Sequence, residues 1–311
     1  MVAISTDVLL TRLGLPAADG PPLPAATTRF PDGAHYRVEI PSVEGPACLA
    51  TVLAEAKRYE VPVARVSQGT GVGLLTDGEL TEMVSMAAGA GMELSVFARP
   101  CAAWDASAAA RAPAGGALAA AARGTDQLAA AVDEIRRAAD LGVRSVLVSD
   151  LGVLSVLGQL RAAGELPADL QAKVSVMLPA ANPAAARVLV DLGADTLNLP
   201  TDLTLAQVGA VRAAVGVPLD VYVESPDNLG GFVRHHELPR LVVVAAPVYL
   251  KFGLRNAPDI YPSGSHLEQT AVALTAERVR RARLGLDLLA RAGSTAGCSG
   301  PGTPGLAVPV A

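Results

Sequence analysis

Residues 173–224 read KVSVMLPAANPAAARVLVDLGADTLNLPTDLTLAQVGAVRAAVGVPLDVYVE. Short runs rich in β-branched residues at 173–178, 196–199 and 219–224 are separated by two segments of helical period, 183–192 and 205–215. Asn182-Pro183 and Thr204-Leu205 supply helix starts, and Gly193 and Gly216 fall where a left-handed helix end is wanted. Strand and helix in strict alternation call for parallel strands joined by right-handed crossovers.

The alternation continues in both directions. Strands are expected at 36–40, 61–67, 93–99, 145–150 and 248–253, and helices at 46–59, 77–90, 125–141, 152–163, 235–243 and 267–292. Eight units in roughly 260 residues is the length of a closed barrel. A doubly wound open sheet would show a Gly-rich phosphate turn after its first strand. Pro41-Ser42-Val43-Glu44-Gly45-Pro46 is not one. The expected class is therefore α/β, a single (β/α)8 TIM barrel over residues 34–293. An extension (1–33, with a short amphipathic piece at 6–13) precedes it, and a Gly/Pro/Ser/Thr/Ala-rich tail (294–311), expected to be disordered, follows. The long Ala/Gly-rich connection at 100–124 carries Trp104, the only tryptophan, and reads as a surface insertion or a flap over the barrel mouth.

Composition narrows the function classes. A net charge of −5 and a pI near 5.4 supply no basic face for nucleic acid. Mean hydropathy is +0.37, yet no apolar run of membrane-spanning length occurs, and the amino terminus lacks a cationic stretch followed by an apolar core. Cys48, Cys101 and Cys298 are an odd number at wide spacing, which suits reduced thiols in a cytoplasmic protein. A homo-oligomer is left open.

Alternate strand residues of a barrel face inward, and those near the carboxyl ends face the pocket. Period two places Arg37 and Glu39 inside from the first strand. The second gives Arg65 and Ser67, with Gln68 at the rim. Ser95, Phe97 and Arg99 come from the third, Asp150 ends the fourth, and Ser175 and Met177 come from the fifth. Asn198 follows on the sixth, Asp220, Tyr222 and Glu224 on the seventh, and Tyr249 and Lys251 on the eighth, with Arg255 beyond. Charges at such positions must pair, meet water or bind a ligand. Lys251, Glu39, Glu224 and Asp150 are the candidate catalytic groups: Lys251 as a base or Schiff-base nucleophile, the carboxylates as acid/base partners. Arg37, Arg65, Gln68, Arg99, Asn198, Tyr222 and Arg255 are the candidate substrate-binding groups, the arginines suited to bidentate contact with an acid group. No metal ligand is assigned. A divalent metal, if used, would draw on Glu39, Asp150 and Glu224. His235-His236 are adjacent and read as a loop or helix-end pair. Gly230-Gly231, after the seventh strand, reads as a tight turn or a phosphate cradle.

The carboxyl half resembles peptidase family U32, the collagenase-like peptidases. Residues 174–185 resemble its strand entering a helix through an Asn/Ser turn, and 193–205 through 219–224 resemble the next two strands. In 249–261 Lys251 and Arg255 stand at the family's spacing before Tyr261. The resemblance implies a barrel with Lys251 and Arg255 in its mouth. Many members carry a cysteine cluster after the seventh strand, which in some holds an iron–sulfur centre, but residues 225–247 contain no cysteine. Gly253 replaces the acidic residue usual between the family's Lys and Arg.

Three readings follow. The first is an enzyme acting on a small anionic substrate by acid/base or Schiff-base chemistry, of lyase, aldolase or isomerase type, with no redox cofactor. The second is a collagenase-like hydrolase or peptide-modifying protein. The third is a non-catalytic partner subunit.

Overall fold

A computed structural model describes residues 6–99 and 121–311. The proposed flap at 100–124, with Trp104 and Cys101, lies outside the described residues except for its last four positions. Eight parallel strands close on themselves. They are β1 (Tyr36–Pro41), β2 (Val63–Ser67), β3 (Glu93–Phe97), β4 (Ser145–Val148), β5 (Gln171–Val174), β6 (Thr196–Asn198), β7 (Leu219–Glu224) and β8 (Val248–Phe252). The sheet runs β2 to β8 in sequence order, then β1, and β1 pairs β2 to complete the ring. The chain is a (β/α)8 TIM barrel, as its alternation predicts.

Helix α1 (Thr6–Arg12) precedes the barrel and buries none of its residues. The helices around the ring are α2 (Pro46–Tyr59), α3 (Asp77–Gly89), α4 (Gly124–Asp140), α5 (Leu151–Ala162), α6 (Pro183–Asp191), α7 (Leu205–Ala214), α8 (Leu238–Val244) and α9 (Glu268–Arg291). Local chemistry fixes several starts. Thr76 with Glu79 and Thr204 with Gln207 form capping boxes, and Asn182 caps α6 ahead of Pro183. Gly142 and Gly193 take the left-handed conformation at φ 99° and 100°. Gly216 does not: α7 runs straight into an extended Val215 instead.

Outward strand residues such as Val38, Ile40, Val66, Leu94, Val146, Leu197 and Leu250 are fully buried against the helices. Each such side chain contributes about 1.5–3 kcal/mol over its exposed state. Aromatics are few, so Val, Leu and Ala build this layer.

The expected tail is not loose. Cys298–Ser299 form a short strand β9 beside β1. Gly302 N donates to Gly91 O (2.7 Å) and Val310 N donates to Gly142 O (2.9 Å). A Cβ on Gly142 would lie 2.0 Å from Val310 O, so the tail lies directly on that backbone. Low complexity misleads here because the tail binds chiefly through main-chain groups, which composition does not reveal. The extension also contributes: Ala26 N donates to Val243 O, Thr28 Oγ1 to Ala246 O, and Phe30 packs edge-on against Tyr249 at 5.3 Å. Both chain ends thus seal the amino-terminal end of the barrel, leaving the carboxyl end as the place for a site.

Candidate active site

The barrel interior is ionic. Arg37, Glu39, Arg65, Glu93, Lys173, Asp220 and Lys251 are each at most 3% exposed, so four cations share the interior with three carboxylates. Arg65 is the hub. Its Nε donates to Glu39 Oε2 (2.8 Å), its Nη1 to Glu93 Oε1 (3.4 Å) and its Nη2 to Asp220, while its guanidinium stacks 3.4 Å from the centre of the Tyr249 ring. The three carboxylates hold its pKa well above the usual arginine value against the opposing pull of burial.

Glu39 Oε1 is the second hub. It accepts from Ser67 Oγ (2.7 Å) and from Lys173 Nζ, and Lys251 Nζ stands 3.3 Å away. Burial alone would raise this carboxyl, but Arg65, Lys173 and Lys251 hold it well below the carboxylate range. Lys251 Nζ also donates to Asn198 Oδ1 (2.7 Å) and lies 4.5 Å from the Tyr222 ring centre. Burial would lower its pKa, yet Glu39, Tyr222 and Asp220 raise it, so Lys251 is an ammonium at neutral pH. Lys173 goes the other way. Burial first, then the neighbouring Arg65 and Lys251 charges, bring it down to about 7.

Depth within the barrel sorts these groups. Arg37 lies at the sealed end, donating to Pro304 O (2.6 Å), Thr303 Oγ1 and Tyr249 OH and lying 4.1 Å over Phe30. It belongs to the floor and not to the mouth where the sequence placed it. Toward the carboxyl ends, the residues of inward parity are Ser67, Phe97, Leu147, Ser175, Asn198, Tyr222 and Lys251. Below Phe97 on the same strand, the Ser95 hydroxyl is buried with no hydrogen-bond partner among the described residues.

Glu39, Arg65, Asn198, Tyr222 and Lys251 are thus brought together. The other candidates are not. Glu224 turns away because β7 carries an extra residue: Tyr222 pairs with Lys251, but Glu224 pairs with outward-facing Phe252. Its partners are His235 Nε2 (3.3 Å), Arg255 N (2.9 Å) and Arg281 (3.6 Å), on the helix side of the sheet. Burial would raise its pKa, but those hydrogen bonds and charges lower it. Asp150 caps α5, one oxygen accepting from Val153 N and the other from Ala122 N, each at 2.9 Å. Gln68 ties its own loop through Gly71 N and O. Arg99 stands at the rim, with Nη1 3.5 Å from Gly69 O. Arg255 is exposed beside Asp227 (3.9 Å). Met177 sits in a turn, because β5 ends at Val174.

Glu39, Asp150 and Glu224 therefore occupy three separate surroundings, and among the described residues no group of three His, Cys, Asp or Glu side chains is placed to hold a metal ion. Nor do the described cysteines suit an iron–sulfur cluster: Cys48 is buried in α2 and Cys298 lies in β9 at the sealed end. Gly253 has a structural reason, since a Cβ there would lie 2.7 Å from Glu224 O.

Two interior ions, Glu93 and Lys173, are not among the candidates that the sequence yields. Both open strands as read from the sequence (93–99 and 173–178), and they share parity with the inward residues that follow, so period two reaches them too; in the structure Lys173 is the third residue of β5.

Among solved structures, the barrel is similar to a U32 peptidase at 18% identity and TM-score 0.43, covering 78% of this chain and 98% of that one. It is also similar to a candidate fructose-1,6-bisphosphate aldolase from Coccidioides immitis, at 14% identity and TM-score 0.52, covering 83% and 92%. A truncated 3-deoxy-D-arabino-heptulosonate 7-phosphate synthase from Thermotoga maritima follows at 14% and 0.45, covering 86% and 91%. At such identities the likeness concerns the fold. No curated protein matches the chain. The model of peptidase family U32 matches residues 117–225, which include the stretches at 174–185 and 193–224 but not the one at 249–261. Over that segment the chain is similar to peptidase family U32, as its sequence implies.

Proposed function

We propose that this barrel is an enzyme that binds a small anionic molecule at its carboxyl end and uses Lys251 as an ammonium. The observation that carries the reading is the position of Lys251: it is the cation nearest the mouth in an interior with one more cation than carboxylates. An anion bound there would balance the surplus charge. The neighbouring mouth positions pair apolar walls (Phe97, Leu147, Tyr222) with a few polar groups (Ser67, Ser175, Asn198), the make-up of a small-molecule pocket.

A charged Lys251 favours proton donation over imine formation in the resting enzyme. Poised over a substrate carbonyl, it would stabilise the oxygen as negative charge develops and deliver a proton to it, while a solvent water takes the proton that leaves the neighbouring carbon. That is the chemistry of enolising lyases and isomerases.

The test uses 2-oxo acids as probes. In deuterium oxide, pyruvate and 2-oxobutyrate should lose their C3 proton signals faster with the protein than without it, and Lys251→Met should abolish the gain. Asp150→Ala should retain it. Exchange that is absent, or that persists in Lys251→Met, defeats the reading. The family match at 117–225 favours a second reading, a hydrolase or peptide-modifying protein. It would be supported by cleavage of a peptide library in the absence of any 2-oxo acid exchange.

A further inference from the structure

Of the 25 lysine and arginine residues in the chain only three are lysines, Lys57, Lys173 and Lys251. Lys57 is exposed on α2. The other two are buried in the barrel, on either side of one carboxylate oxygen: Lys173 Nζ bonds to Glu39 Oε1, and Lys251 Nζ lies 3.3 Å from the same atom. Nearly every other cationic position is arginine, which keeps its proton at any working pH, whereas a buried lysine can release its own. We propose that Lys173, Glu39 and Lys251 form a proton relay, in which Lys173 holds the proton that Glu39 passes to Lys251. This rests on the reading of Lys251 as a proton donor and adds Lys173 as a positioning residue that stays out of substrate contact.

The step balances. Lys251 gives a proton to the substrate and becomes a neutral amine. Glu39 Oε1 then hands a proton to Lys251 while receiving one from Lys173. The carboxylate is regenerated, Lys251 is again an ammonium, and Lys173 is left neutral. Reversal of the path from the mouth reloads Lys173, which at 1% exposure has no direct access to solvent.

The surroundings of Lys173 suit a group that changes charge. β1 contributes Glu39, β2 Arg65, β7 Asp220 (3.6 Å) and β8 Lys251, while on β6 Thr196 pairs in register with Lys173 and its hydroxyl donates to Asp220 (3.4 Å). Glu93 of β3 is engaged by Arg65, Ser145 and Tyr249. With four cations among three carboxylates, one proton is in surplus. Arg65 is held charged by its three carboxylates and Lys251 by Glu39, so the labile proton falls to Lys173, whose pKa is lowered to about 7.

Protein labelled with carbon-13 at the lysine ε-carbon has three signals, so the relay can be followed by NMR without a substrate. Lys57, exposed on α2, supplies the reference signal. Lys173 should titrate near 7, and the Lys251 signal should show a small inflection at that same pH. Removing the neighbouring charge in Lys251→Met should raise the Lys173 midpoint by about one unit. Should that variant not fold, the shared inflection in the native protein decides. A Lys173 that stays protonated to pH 9, or a Lys251 signal indifferent to its titration, overturns the relay. Failure of the 2-oxo acid exchange alone would remove the proposed reaction and leave this titration intact.

Discussion

Replacing Glu39 with Gln keeps the shape of the side chain and removes one charge from the centre of the barrel. Glu39 bonds Arg65, Ser67 and Lys173 and stands beside Lys251. The variant leaves four buried cations facing two carboxylates. Breaking a buried pair by removing one partner costs about 3–5 kcal/mol, because the remaining charge is left without compensation. For a chain of this length, with an unfolding entropy of about 2 cal/mol/K per residue, that corresponds to a fall in Tm of roughly 5–8 °C. The loss depends on pH. Glu39 has a folded pKa far below its unfolded value, so its contribution is present above about pH 4.5 and fades as pH falls through the lower folded value. At pH 8.5 Lys173 can be neutral and spare the variant one unpaired cation, so the defect should be smaller there than at pH 6. Urea unfolding of both proteins at pH 6.0 and 8.5 measures this. A loss below about 1 kcal/mol at pH 6.0 would refute the reasoning, since it would mean these charges are hydrated.

The native protein should itself gain stability as pH rises from 7 to 8.5. Lys173 has a folded pKa of about 7 and an unfolded one near 10.5, so over this range the unfolded chain keeps a proton that the folded one sheds. The expected gain is about 1–2 kcal/mol in urea unfolding, and Lys173→Met should flatten it; an equal slope in both proteins would assign it elsewhere. Deleting residues 294–311 removes the partners of Arg37 at Ser299, Thr303 and Pro304 and the main-chain bonds at Gly91 and Gly142. That should cost about 3–6 kcal/mol at about 1 kcal/mol per hydrogen bond, and an unchanged urea midpoint would show the tail to be dispensable. Asp150→Ala should cost about 1 kcal/mol through the lost cap of α5 and leave 2-oxo acid exchange intact; loss of exchange at full stability would return Asp150 to the site.

Much of the barrel is legible because its signals are local. β-branched runs, capping residues and the glycines at 142 and 193 recur unit by unit, and each of the eight expected strands overlaps an observed one. The interior charges are legible for the same reason: parity alone puts Glu39, Arg65, Asn198, Tyr222 and Lys251 inside. What parity does not supply is depth along the barrel axis, which sends Arg37 to the floor. Nor does it foresee a bulge, and the one extra residue in β7 swings Glu224 from the lumen to His235 and Arg281. Asp150 reads as a strand-end carboxylate until α5 begins directly after it, and then its oxygens serve Val153 and Ala122. The tail misreads because Gly, Pro and Ser speak of side-chain poverty, while its bonds are largely to backbone.

The ionic interior calls for a reason beyond stability. A buried ion network is seldom worth more than an apolar set of equal volume, because desolvation offsets most of the attraction. The outer face of the same strands shows that this chain can build a close-packed aliphatic layer. What an aliphatic interior lacks is a cation beneath the mouth and a proton that can move. The two roles separate in one experiment. A variant carrying Glu39→Met, Arg65→Met, Lys173→Met and Asp220→Leu together removes the centre of the network while keeping its bulk, with Glu93→Met and Lys251→Met added to avoid stranded charges. If the network is held for function, this protein should unfold within about 2 kcal/mol of the native one in urea and show no 2-oxo acid exchange. If it is held for stability alone, the variant should fail to fold cooperatively, and the case for a working mouth would then rest on Lys251→Met by itself.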